Sequence, residues 1–255
     1  MINIAVTMNS ITDISPYLNE SSRSLWEQLN SKYKITVRFN DVNEYSIYSE
    51  GQNATVLVDP THKPCVASFA HELLHLLIRS TQTYAGSTIA LTVQESPMLR
   101  LVMTDNLLQH IGNCLDHAKM LPLYLEMGFE RHLFIKDYAI PKLTADELKM
   151  IQQNFCHTHI FRKNSYNPII IDLYIGKFFA IKACPNTTTN YSVLLHSLKE
   201  VDQNLWQILD NFWLSWLEYD IFKKREIFEE DYHALIWKFT DDMKNWLSNK
   251  NIKFI

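Results

Sequence analysis

The stretch "PCVASFAHELLHLLIRS", Pro64 to Ser80, decides how this chain is read. Val66, Phe69, Ala70, Leu73, Leu74, Leu77 and Ile78 recur at three and four residues, the spacing of one helix face. Pro64 suits the first position of that helix, and His71 and His75 lie along the edge of its apolar stripe. Residues four apart sit one turn above each other, so both imidazoles can turn a nitrogen toward a single ion. Glu72, rotated by one position, is placed to take a proton from water there and pass it to a leaving amine.

Upstream of this helix the pattern alternates. "INIAV" (Ile2–Val6), "KITVRF" (Lys34–Phe39), "EYSIYSE" (Glu44–Glu50) and "ATVLVD" (Ala54–Asp59) read as strands, and "SSRSLWEQLNSK" (Ser21–Lys32) as an amphipathic helix. "EGQN" is the turn joining the last two strands. Downstream, helices are expected over Pro97–Met127, Thr144–Phe155, Pro168–Cys184, Tyr191–Glu218 and Glu230–Ser248. The expected class is therefore α+β: a small N-terminal mixed sheet packed on the His71–His75 helix, then a mainly helical C-terminal half. The expected division is residues 1–130 as a core and 131–255 as a helical region, with "CPNTTTNYS" (Cys184–Ser192) as a softer connector.

A catalytic zinc takes three protein ligands and leaves a fourth position open. The best source of the third is Asp105–Phe129, where Leu108, Ile111, Leu115 and Ala118 mark a buried face. Asn106, His110, Asn113, His117 and Tyr124 form a polar stripe at its margin, while Asp116 turns further out beside Asp105, Gln109 and Lys119. That spacing favours His117 as the ligand, with Asn113 or His110 behind it or near the oxyanion. Tyr124, His110 and Tyr84 are the candidates for the oxyanion helper. "CHTH" (Cys156–His159) is ligand-rich but has no second pair, and reads as a helix end; His62 reads as a turn residue.

With these residues in place, "AHELLHLL" after the strand "TVLVD" resembles the zincin metallopeptidases over about residues 30–125, its specific part being the HExxH motif. Metzincins are excluded, because Ile78 and Thr81 stand where their motif continues with glycine and a third histidine. A third ligand from a later helix is similar to the gluzincin arrangement and to small cytoplasmic peptidases of the ImmA/IrrE type. The resemblance implies His71 and His75 as zinc ligands and Glu72 as general base. It also implies an acidic third ligand, which selects Asp116 as the alternative to His117, although Cys114 after Asn113 breaks the gluzincin pattern. The implied activity is zinc-dependent peptide-bond hydrolysis on a protein or peptide substrate, lying extended against "ATVLVD" as an edge strand. The alternative is a non-catalytic helical protein-interaction module with a structural or vestigial metal site.

Composition sets the remaining bounds. In 255 residues, 24 basic against 28 acidic side chains give a net charge of −4, without the concentrated basic surface a nucleic-acid partner needs. "FKKRE" (Phe222–Glu226) reads as a solvated helix face. The start of the chain has no signal-peptide pattern, and "NPIIIDLYIGKFFAIKAC" is interrupted by Asp172, Lys177 and Lys182, so a buried helix is expected and no membrane partner. Four scattered cysteines fit free thiols in a reducing cytoplasm. Five of the six tryptophans fall in the last fifty residues, as helix-packing core or, in the minority reading, a partner groove.

Overall fold

A computed structural model describes residues 10–157, 164–223 and 231–253. The expected strand Ile2–Val6 and the second half of "CHTH" lie outside them. The chain is α+β and packs as two units: residues up to Gln82 with Lys119–Tyr138, and Thr83–Ala118 with the residues from Ala139 onward.

In the first unit, helix α1 (Glu20–Asn30) starts at an Asn19–Ser22 capping box, in which each side chain satisfies the other's backbone N–H. Strands β1 (Lys34–Phe39), β2 (Ser46–Glu50) and β3 (Asn53–Val58) form a mixed sheet in the order β1-β3-β2. β1 runs parallel to β3, and β2 antiparallel to it. The β2–β3 turn is two residues long, and Gly51 takes its left-handed position with φ 57°. Val37, Val56 and Ile47 form a row across the three strands on one face, which packs on helix α2 (Val66–Ser80). Phe69 of α2 is fully buried against Tyr17 and Trp26, with centroids at 5.4 and 5.9 Å.

Two details differ from the sequence reading. The α2 helix begins after an N-cap at Cys65, so Pro64 precedes the cap instead of opening the helix. More consequentially, "ATVLVD" is not an edge strand: β3 is central, with β1 and β2 bonded on its two sides. Its ladder groups are already taken, so no extended peptide can add there. β1's outer edge meets Ser10 and Ile11, whose N–H donates to Val37 O at 2.8 Å. Among the described residues, no strand pairs the outer edge of β2.

The second unit is helical: α3 (Ala85–Gln94), α4 (Pro97–Arg100), the first turns of α5 (Asp105–Glu126), α6 (Ala145–Asn154), α7 (Pro168–Lys182), α8 (Ser192–Val201), α9 (Gln203–Glu218) and α10 (Tyr232–Ser248). A small sheet of β4 (Cys156–His157), β5 (Ser165–Tyr166) and β6 (Asn251–Ile252) accompanies them. The α7 helix is the apolar run of the sequence, and it is buried, with Ile171, Tyr174, Ile175, Phe178 and Phe179 at 0% exposure. Its three charges are all answered within the unit: Asp172 accepts from Thr104 N, Lys177 meets Glu147, and Lys182 meets Asp210. No helix among the described residues is long and apolar enough to cross a membrane.

The single helix expected over Tyr191–Glu218 is two. Asp202, with ψ 102°, ends α8 and caps α9 by accepting from Leu205 N at 2.9 Å. The expected Pro97–Met127 helix likewise breaks between Arg100 and Asp105. The α3 helix crosses α5 at Gly86 and Gly112, so closely that a Cβ on either would stand under 3 Å from the other's Cα. Trp206, Trp213, Trp216 and Trp246 are core residues, while Trp237 is 57% exposed.

Candidate metal centre

Two consecutive turns of α2 set His71 above His75, with ring centroids 5.1 Å apart. Helix α5 supplies His117. One ligand atom from each of His71, His75 and His117 lies within 4.8 Å of the other two. Ligand nitrogens around a tetrahedral zinc stand about 3.4 Å apart, so these three side chains are near the spacing at which they could hold one ion. No other such group of histidine, cysteine, aspartate or glutamate exists among the described residues.

The donor set suits a cation. Metal-binding imidazoles must be neutral. Burial, and then the neighbouring His75, pull the His71 pKa down to about 3, against a hydrogen bond to the Phe134 backbone that pushes the other way. That bond raises basicity only if the ring N–H donates to the carbonyl, and a ring held in this manner has its second nitrogen aimed. Phe134 itself is 2% exposed and meets the His71 ring edge-on at 4.8 Å. Its segment is tied down by Lys136, whose Nζ donates to Asn43 O at 2.9 Å.

Glu72 is 9% exposed and lies outside the ligand group. Burial pushes its carboxyl above the ordinary range; His75 and Arg79 oppose the shift, and Glu44 adds to it. Its carboxylate forms no hydrogen bond or ion pair among the described residues. The charges around it, Arg79 two turns further along the same face of α2 and Glu44 just before β2, put it on the side of α2 that faces β2. A buried acid without a partner is costly for stability and is what a proton-transfer group needs.

The polar stripe of α5 is not gathered at one place. His117 joins the cluster, and Asp116, about 100° around the helix, does not. His110 Nε2 is 3.2 Å from Gly176 O and 3.6 Å from Cys114 Sγ. Asn113 and Tyr84 are exposed. Tyr124 is fully buried, stacked on Phe129 at 4.9 Å and edge-on to Phe134 at 5.1 Å, and its hydroxyl has no hydrogen-bond partner. Burial pushes that phenol far above its ordinary pKa, so it is a neutral core ring. His62 lies in a turn, with Nδ1 2.8 Å from Asp59 Oδ2.

Two residues beside the cluster were not anticipated. Arg79, seven residues after Glu72, was legible as sharing its helix face. Phe134 comes from a connector with no periodic pattern and had no sequence signal. Comparison with family models, curated proteins and solved structures found no match to this chain.

Proposed function

We propose that this chain is a zinc-dependent metallopeptidase with a zincin-like centre, acting on a protein or peptide substrate. The observation that carries the reading is the convergence of His71, His75 and His117, with the unpaired Glu72 on the same helix. In this reading the three histidines hold the ion, and His71 is oriented through the Phe134 backbone. Zinc bound there supplies Lewis acidity, which acidifies water and polarises a carbonyl. Glu72 accepts the proton from the attacking water and returns it to the leaving amine, for which its elevated pKa is suited. The substrate takes the open edge of β2, in place of the β3 edge expected from the sequence.

The competing reading, a non-catalytic module with a structural metal, draws on Trp237, the one exposed tryptophan of the C-terminal helices. Metal analysis and one substitution separate the two. Wild type carries about one zinc per chain, and His71→Ala and His117→Ala lose it. Glu72→Gln keeps the zinc and lowers turnover of a cleavable peptide by about 10²–10⁴-fold. Absence of zinc uptake sinks both readings; zinc with no turnover in wild type leaves the structural one.

A further inference from the structure

The β2 edge is polar in a particular way. A two-residue turn makes Glu50 and Asn53 a mutually bonded pair, so by alternation Tyr48 and Ser46 also bond to β3. Ile47 and Ser49 therefore turn their N–H and C=O groups outward. One of those carbonyls is occupied: Arg79 reaches round from α2 and donates from Nη1 to Ile47 O at 3.3 Å, and to Ser49 Oγ at 3.5 Å. Earlier in the same segment, Lys136 donates to Asn43 O. A cationic donor thus stands on Ile47 O, where an N–H group of an added strand would go.

Arg79 is under-used for its chemistry. A guanidinium has five donors in a planar fork and is best matched by a carboxylate. Here it is half-buried, makes two long bonds to neutral oxygens, and forms no ion pair among the described residues. Lys136 meets Glu44 at 3.8 Å, whereas Glu72, the carboxyl that feels the charge of Arg79, forms no ion pair with it among the described residues. A half-buried, weakly engaged guanidinium is held ready for an anion arriving along the edge.

We infer that the β2 edge takes an extended peptide segment carrying an acidic side chain, and that Arg79 selects it by releasing Ile47 O to the peptide backbone and pairing with that carboxylate. The inference rests on the peptidase reading and assigns the substrate class of the same site. Arg79 is then a specificity residue, distinct from the proton-handling Glu72.

The test uses the full chain in the Glu72→Gln background, which leaves peptides uncut. Fluorescein-labelled octapeptide amides of β-forming residues, carrying one Asp or the isosteric Asn, are compared by fluorescence anisotropy. The Asp pool binds ~10-fold more tightly, as one charge-assisted pair allows, and the ratio falls with salt. Arg79→Gln brings the ratio close to one. Ser49→Glu does the same by another route, supplying an internal carboxylate while Arg79 stays in place; it decides the question should Arg79→Gln lose its helical circular dichroism. Equal binding of the pools, or no binding, would overturn the assignment. Zinc-loaded wild type is assayed for cleavage alongside. An Asp preference without cleavage fails the peptidase reading alone, and cleavage without preference fails this one alone.

Discussion

In the helical unit, Lys177 meets Glu147 and Lys182 meets Asp210 at 2.6 Å, and Lys250 reaches Asp202 at 3.2 Å. In the first unit, Glu72 is as deeply placed as any of these and meets no base at such a distance. The helical unit uses charge to finish architecture. Asp202 caps α9, accepts from Trp246 Nε1 and holds Lys250, which also stacks over Tyr166 at 4.3 Å. Burial pulls the Lys250 pKa down, but Tyr166 and Asp202 outweigh it, and the net shift is upward. The first unit instead holds a carboxyl whose pKa is raised mainly by loss of water. Paired buried charge marks a joint; unpaired buried charge marks a place where something else is expected to arrive.

That contrast can be broken by substitution. Asp202→Ala removes a helix cap and leaves Lys250 and the Trp246 N–H without their acceptor, so urea unfolding shows a loss of about 3 kcal/mol. A loss under about 1 kcal/mol would mean the network is ornamental. Gly112→Ala drives a methyl against Gly86, and the forced separation of α3 from α5 costs about 2 kcal/mol, read from the same measurement. The smallest effect has the opposite sign. Glu72→Leu removes an unpaired buried carboxyl from an apolar helix face, so the metal-free protein gains about 1 kcal/mol. If Glu72→Leu instead destabilises, Glu72 belongs with the structural charges and the distinction between the units collapses.

The elements were legible wherever a local pattern carried them. Strands were expected where β1, β2 and β3 lie, and the helix expected from Thr144 starts there, where the structure shows a Thr144–Glu147 capping box. The break at Asp202 was written as an N-cap, but it was hidden inside an apolar period that runs on from α8 to α9 in similar phase. The central place of β3 was not legible, because strand order depends on pairing between distant segments. In the site, helical phase was legible and helical height decides which residue of a face reaches the cluster. His110, His117 and Tyr124 share a face, yet each step of seven residues climbs about 10 Å. One ion could take only one of them, and it is His117 whose ligand atom lies within 4.8 Å of those of His71 and His75.

The bonds from Arg79 to β2 have a consequence for life at high protein concentration. An open strand edge is a template for any passing strand, including that of another copy of the same chain. β1 is shielded by Ser10 and Ile11, which leaves β2, among the described residues, as the margin of the first sheet without a strand partner. A charged side chain lying on Ile47 O makes that margin a poor partner for a neutral strand, which would have to displace it without offering anything in return. The arginine thereby guards the molecule against self-association at the point where the sheet is least protected.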